Sequence, residues 1–164
     1  MKKNEDKALA SIAIETDTDK LLQWVKAAKR EGASAVEIAA MYRLAQIKPR
    51  LEGIEHEEKT VEYACWQMVS TVEAERKVRG RTVWRMHRLR PKIEKVGEVE
   101  ALAYCIQKQT VGFAEMLGYG MPGLTAEAIA LRFPARFKPE ILAAARARLE
   151  LNKIEVDADG KIVA

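Results

Sequence analysis

The stretch GLTAEAIALRFPARFKPEIL, residues 123–142, repeats with one gap the pattern of an earlier stretch, GASAVEIAAMYRLAQIKPRL, residues 32–51. Each copy opens on glycine, places a hydroxyl residue two positions later (Ser34 and Thr125), continues with apolar residues at helical spacing and reaches a Lys-Pro pair. A hydroxyl residue before an apolar run predicts a helix start, and proline suits the first turn of the next helix. Each copy therefore predicts helix, turn and helix, although alanine-rich helices bounded by glycine and proline also match by chance.

Length and composition restrict the class of protein. The chain has 164 residues, of which 48% are hydrophobic and 32% charged, which is typical of one globular domain or two very small ones. No apolar run is long enough to span a membrane, and the first residues lack the apolar core of a signal peptide. The two cysteines have no metal-ligand or disulfide spacing. We therefore expect a cytoplasmic protein without bound metal or cofactor.

The chain is expected to be mainly α-helical and to divide into four segments. These are a flexible N-terminal tail (1–16), a helix-turn-helix-like unit (17–57), a central helical region (58–120) and a second helix-turn-helix-like unit (121–164). Near the end, an Asp159-Gly160 turn separates Ile154-x-Val156 from Ile162-Val163. Alternating apolar residues on both sides of such a turn predict a β-hairpin.

Helix, turn, helix and hairpin in this order resemble the winged helix-turn-helix superfamily over about residues 124–164. The residues that carry the resemblance are Thr125, Ala126, Ile129, Ala130, Ile141, Leu142, Ala145, Leu149 and the Asp159-Gly160 turn. The resemblance implies that the second helix enters a major groove of DNA, while the hairpin, or wing, contacts a neighbouring groove or the backbone.

Positive charge is concentrated in the window 76–92, which holds eight Lys or Arg residues and no Asp or Glu. The rest of the chain has 20 basic and 24 acidic residues, so this window alone produces the net charge of +4. A cluster of like charges needs a counter-charge, and a phosphate backbone supplies one. Residues 81–97 predict a helix that is bent or ended near Pro91, and on it Arg81, Arg85 and Arg88 would share one face. The alternative counter-charge is the chain's own acidic run between Glu52 and Glu62.

The second helix of the C-terminal unit is poorly equipped to read bases, because most of its outward positions are alanine. In the N-terminal copy, the helix expected from Pro49 carries glutamates that would repel phosphate, so a structural or protein-facing role is predicted there. Specificity is therefore expected to come partly from DNA shape.

These patterns predict a small DNA-binding protein, a transcriptional regulator or architectural factor. The expected nucleic-acid-binding residues are Arg76, Lys77, Arg79, Arg81, Arg85, Arg88, Arg90, Lys92, Arg136, Lys138, Arg146, Arg148 and Lys153. One alternative is a protein-interaction module that docks an acidic partner. Another is a binder of RNA or single strands, in which Trp84 stacks on a base. A homodimer is left open. No phosphate-binding loop or catalytic set is present, so an enzyme is not expected.

Overall fold

Helix α4, Val61–Val78, runs through the middle of the computed structural model, which describes residues 2–163. Twelve of its 18 residues are buried, including the charged Glu73 and Glu75. A helix that is buried on all sides must be surrounded by other elements, and α4 contacts helices from both ends of the chain. Thr60 caps its first turn by accepting a hydrogen bond from the amide of Tyr63.

The described residues form nine α-helices and no β-strand. The helices are α1 (Lys2–Ile14), α2 (Thr18–Glu31), α3 (Ser34–Leu51), α4, α5 (Leu89–Val96), α6 (Glu98–Lys108), α7 (Gly112–Gly118), α8 (Ala126–Arg132) and α9 (Pro139–Leu151). None of these helices combines the length and the apolar character that a membrane crossing requires. Residues 2–14, predicted to lie in a flexible tail, are helical, and Ile12 is buried.

Two hydrophobic cores meet along α4. The first core joins α1, α2 and α3 to the later turns of α4, at Val72 and Ala74. The second joins α5, α6, α8 and α9 to the earlier turns of α4, from Val61 to Val69. Helix α4 therefore holds the two halves of the chain together.

The two copies of the repeated motif adopt different structures. The second copy forms α8, a 3-10 turn at Pro134–Arg136 and α9, as predicted. The first copy forms one uninterrupted helix, α3, which includes Pro49 in its last turn. The helix expected to begin at Pro49 is therefore absent, and Ser34 does not cap α3, since no side chain caps this helix.

The predicted β-hairpin wing is wrong. Residues 155–163 turn back on themselves, but only one isolated antiparallel bridge, Val156 to Ile162, joins the two sides. Gly160 at the turn is buried, and a Cβ added to it would lie 2.2 Å from the carbonyl oxygen of Leu131. This close approach holds the turn against the end of α8, so the C-terminal segment does not project outward as a wing.

The helix predicted from Arg81 to Gly97 is also partly wrong, because residues 81–88 are irregular and α5 begins at Leu89. Gly80 ends the preceding turn with φ of +70°, a conformation that favours glycine. The amide of Met86 then donates to the Glu73 carboxylate instead of to a helical carbonyl. Arg81, Arg85 and Arg88 consequently do not share a helical face.

Candidate functional site

A groove of about 440 Å³ lies between α4, the irregular segment before α5, the α6–α7 connection and α8. Its apolar lining includes Met68, Val72, Met86, Leu89 and Phe113. Grooves of this size and character are the usual binding sites of proteins. The surrounding charges therefore decide what the groove accepts.

Three cations that line this groove form no ion pair with any residue between 2 and 163: Arg85, Arg88 and Lys92. Arg85 and Arg88 are exposed on the irregular segment. Lys92, on the first turns of α5, lies with its Nζ 3.9 Å from the centroid of the Tyr104 ring. We call Arg85, Arg88 and Lys92 the basic rim. It gives the groove an apolar interior with positive charge at its edge.

The other arginines of the 76–92 window are held by the protein's own carboxylates. The guanidinium of Arg90 donates two hydrogen bonds of 2.7 Å to Glu73, which is only 3% exposed. Burial alone would raise the pKa of the Glu73 carboxyl, but the hydrogen bonds from Arg90 and the Met86 amide outweigh it and hold that pKa below its usual range. Arg90 therefore neutralises a buried charge and is not available to a ligand.

Glu115 on α7 holds a second pair of arginines. Arg76 donates to both of its carboxylate oxygens, and Arg81 lies 3.5 Å away. The Tyr119 hydroxyl also donates to Glu115. Burial alone would raise the pKa of the Glu115 carboxyl, but the hydrogen bonds from Arg76 and Tyr119 outweigh burial and hold that pKa below its usual value. Burial and the neighbouring carboxylate together raise the pKa of Tyr119 to about 12.

Arg79 is paired to a third carboxylate, that of Glu75, through a 3.1 Å contact. Burial raises the pKa of Glu75, and neither Arg79 nor Lys29 restores it to its usual value. Lys77 instead covers the ring of Trp84, with its Nζ 3.7 Å from the centroid. That face of Trp84 is therefore occupied, which weakens the hypothesis that it stacks on an unpaired base.

The alternative prediction, that the acidic run between Glu52 and Glu62 neutralises the arginine window, is wrong. The acidic run of residues 52–62 forms no ion pair with the arginine window: Glu52 contacts Ser70 and Lys48, and Glu62 contacts Arg136. The carboxylates that neutralise the window are Glu73, Glu75 and Glu115. Only the Glu75–Arg79 pair, four residues apart on a helix, has a signal readable from the sequence.

The C-terminal residues predicted to bind nucleic acid also divide into those paired with carboxylates and those that are exposed. Arg148 donates to Glu127 at 2.8 Å and lies 4.2 Å from the centroid of the Phe113 ring, while Arg136 pairs with Glu62. Arg146, Lys138 and Lys153 are exposed. Residues 121–164 contain seven basic and six acidic residues, so this unit has almost no net positive charge to attract DNA.

Exposed apolar side chains extend the groove outward. Val111 and Tyr104 both line it and are 75% and 39% exposed. Two flexible methionines, Met68 and Met86, lie inside. Methionine adapts its shape to different partners, and apolar side chains exposed beside a pocket are typical of protein-binding surfaces. The groove is therefore suited to an apolar side chain carried by a larger ligand.

Comparisons with known proteins do not assign the chain to a family. No protein-family model matches the chain, and neither the curated proteins nor the solved structures searched contain a match. The winged-helix resemblance, without its wing, remains a prediction from the sequence. The function has to be argued from the groove and its charges.

Proposed function

We propose that this chain is a non-catalytic docking protein that binds an acidic segment of a partner protein. The observation that supports this most is the basic rim: Arg85, Arg88 and Lys92 line an apolar groove, whereas Arg76, Arg79 and Arg90 are neutralised internally. The partner segment inserts an apolar side chain between the methionines, and its carboxylates face the rim.

The shape of the groove favours a polypeptide over a DNA duplex. A duplex presents phosphates but no apolar side chain to fill the groove. Burial of one leucine-sized side chain contributes about 1.5–3 kcal/mol, and each exposed ion pair adds about 0–1 kcal/mol. These terms predict weak, transient binding in which the charges mainly accelerate association and make it salt-dependent.

Fluorescence anisotropy tests the proposal with a short labelled peptide of Glu and Ser residues that has one central leucine. We expect binding to fall about tenfold in an R85A/R88A variant, because two ion pairs are lost. R146A removes an exposed arginine of α9 and is the matched control, which should bind as the wild type does. A peptide with serine in place of leucine should bind more weakly.

Equal binding by R85A/R88A and the wild type would refute the groove as the docking site. Equal binding of the two peptides would refute the apolar anchor. A complex that forms without peptide and grows with protein concentration would show that a second copy of the chain occupies the groove, which also contradicts a separate partner.

A second candidate function is duplex DNA binding, as a regulator or architectural factor. It is supported by the α8–turn–α9 arrangement and by exposed Arg146, Lys138 and Lys153 around it. A gel-shift titration on random duplex at two salt concentrations separates the candidates. DNA binding through α9 should weaken in R146A/K153A and persist in R85A/R88A, the reverse of the peptide result.

A further inference from the structure

A second, smaller cavity of about 180 Å³ lies where α3, α8, the 3-10 turn Pro122–Leu124 and the C-terminal turn meet. Its lining includes Tyr42 from α3, Arg132 at the end of α8, and Gly160 and Lys161 from the C-terminal turn. None of these residues belongs to the groove.

Arg132 is the unusual group in this cavity. Its Nε is buried and has no hydrogen-bond partner, and no carboxylate between residues 2 and 163 forms an ion pair with its guanidinium. Arg76, Arg90 and Arg148, which are also largely buried, each donate to a carboxylate. A buried cation without a counter-charge is costly, and arginine cannot escape the cost by losing its proton.

The other polar side chains of the cavity add donors. The Lys161 ammonium carries three donors, and the Tyr42 hydroxyl lies beside Gly123, 3.4 Å from the position that a Cβ would take there. No Asp or Glu lines the cavity. Asp157 of the turn already accepts hydrogen bonds from the amides of Asp159 and Lys161. The lining of the cavity therefore offers several donors and contains no carboxylate.

We propose that this cavity is a binding site for a small oxyanion, a phosphate or carboxylate group, held by Arg132, Lys161 and the Tyr42 hydroxyl. A forked guanidinium matches two oxygens of either group, and an ammonium supplies a third contact. The bound anion would connect α3 and α8 to the C-terminal turn. It would thus tie the turn, which pairs through a single bridge, to both halves of the chain.

Thermal unfolding with inorganic phosphate tests the site, using sodium chloride of equal ionic strength as the reference. Saturating phosphate should raise the Tm of the wild type by about 3 °C, the shift expected when a ligand binds only the folded chain. R132Q should lose this response. R146Q, in which an exposed arginine of α9 is changed, should retain it. Broadening of the ³¹P resonance by wild type but not by R132Q gives a direct readout.

A parallel series of melts with acetate distinguishes the two kinds of oxyanion. A Tm increase with acetate as large as that with phosphate assigns the site to carboxylates. A smaller Tm increase with acetate than with phosphate assigns the site to phosphates. If R132Q does not fold, K161Q on the exposed turn should halve the phosphate response. Identical responses in wild type and both variants would overturn the proposal. So would a wild type whose Tm responds to neither phosphate nor acetate.

Discussion

The two copies of one motif, residues 32–51 and 123–142, adopt different local folds, and a proline present only in the second copy accounts for where its first helix ends. They share their glycine, hydroxyl, alanine and Lys-Pro positions, but where the first copy has Arg43 after its aromatic residue, the second has Pro134. Proline disfavours the helical conformation in the residue before it, so α8 ends and Phe133 turns the chain. In the first copy nothing stops α3 until it passes Pro49.

The difference in shape gives the copies different roles. The uninterrupted α3 packs against α1, α2 and α4 and contributes to the first core. The bent second copy places Thr125, Ala126 and Glu127 along the wall of the groove and Arg132 in the second cavity. The second copy therefore contributes to both candidate binding surfaces, whereas the first copy contributes only Tyr42, to the second cavity.

The largest effect is expected when the proline of the second copy is placed in the first. R43P removes a hydrogen bond from the middle of α3 and the bond from the Arg43 Nε to the Glu15 carbonyl. We expect a loss of about 4 kcal/mol in the free energy of unfolding, measured by urea denaturation. R43A, which loses only the side-chain hydrogen bonds of Arg43 to the Glu15 carbonyl and to Gln46, is the control. Stability of R43P equal to that of R43A would contradict this account of α3.

A smaller effect is expected where the C-terminal turn contacts the end of α8. G160A should cost about 2 to 3 kcal/mol, because its Cβ would overlap the Leu131 carbonyl and its φ of +77° strains alanine. G32A, at a φ of +70° with open space around it, should cost about 1 kcal/mol. Urea denaturation of both variants measures the difference. Equal losses would show that the turn does not pack against α8.

Removing the hydroxyl at the start of each copy should give a smaller difference in the free energy of unfolding than the two glycine substitutions do. The Thr125 hydroxyl accepts a hydrogen bond from the Ala128 amide, whereas Ser34, at the matching position, caps nothing. T125A should therefore lower the free energy of unfolding by about 1 kcal/mol, and S34A should change it by less than about 0.5 kcal/mol. A loss in S34A as large as that in T125A would mean that both hydroxyls cap helices.

The pH dependence of stability should show the smallest difference. Glu127 occupies the position of Val36 in the first copy, and its burial raises its pKa despite Arg148. Its protonated form is therefore favoured on folding, so wild type should gain stability relative to E127Q as pH falls from 7 towards the unfolded pKa, about 4.3.

Glu73 should change the stability with pH in the opposite direction to Glu127. Its folded pKa lies below the unfolded value, so its stabilisation is present above about pH 4.3 and is lost as pH falls through the folded pKa. Wild type should lose stability relative to E73Q in that acidic range. Thermal melts from pH 3 to 7 compare the variants, and slopes of the same sign would contradict the assigned pKa directions.

The sequence predicted the helices better than their ends and contacts. Apolar periodicity and the Pro134 turn are local, so α8 and α9 were predicted. The prediction that a helix begins at Pro49 was wrong because proline in the last turn of a helix gives the same local sequence pattern as proline in a first turn. The hairpin prediction was wrong because the turn packs on Leu131, 29 positions earlier in the chain. The alternation of apolar residues around the turn carries no information about this distant contact.

The candidate sites depend on such distant contacts. The Arg76–Glu115 and Arg90–Glu73 pairs join residues 39 and 17 positions apart, so the sequence showed the excess of arginine but not which arginines were neutralised. Arg132 was not predicted at all. Nothing in its neighbours along the chain indicates that it lacks a counter-charge after folding.

The central claim, that Arg85 and Arg88 receive an acidic segment at the groove, is tested most directly by exchanging charges. An R85E/R88E variant and a leucine peptide with lysine in place of glutamate are compared with the wild type and the acidic peptide by anisotropy. The account predicts that the variant loses the acidic peptide and gains the basic one, while circular dichroism stays unchanged. Undiminished binding of the acidic peptide by R85E/R88E would contradict it.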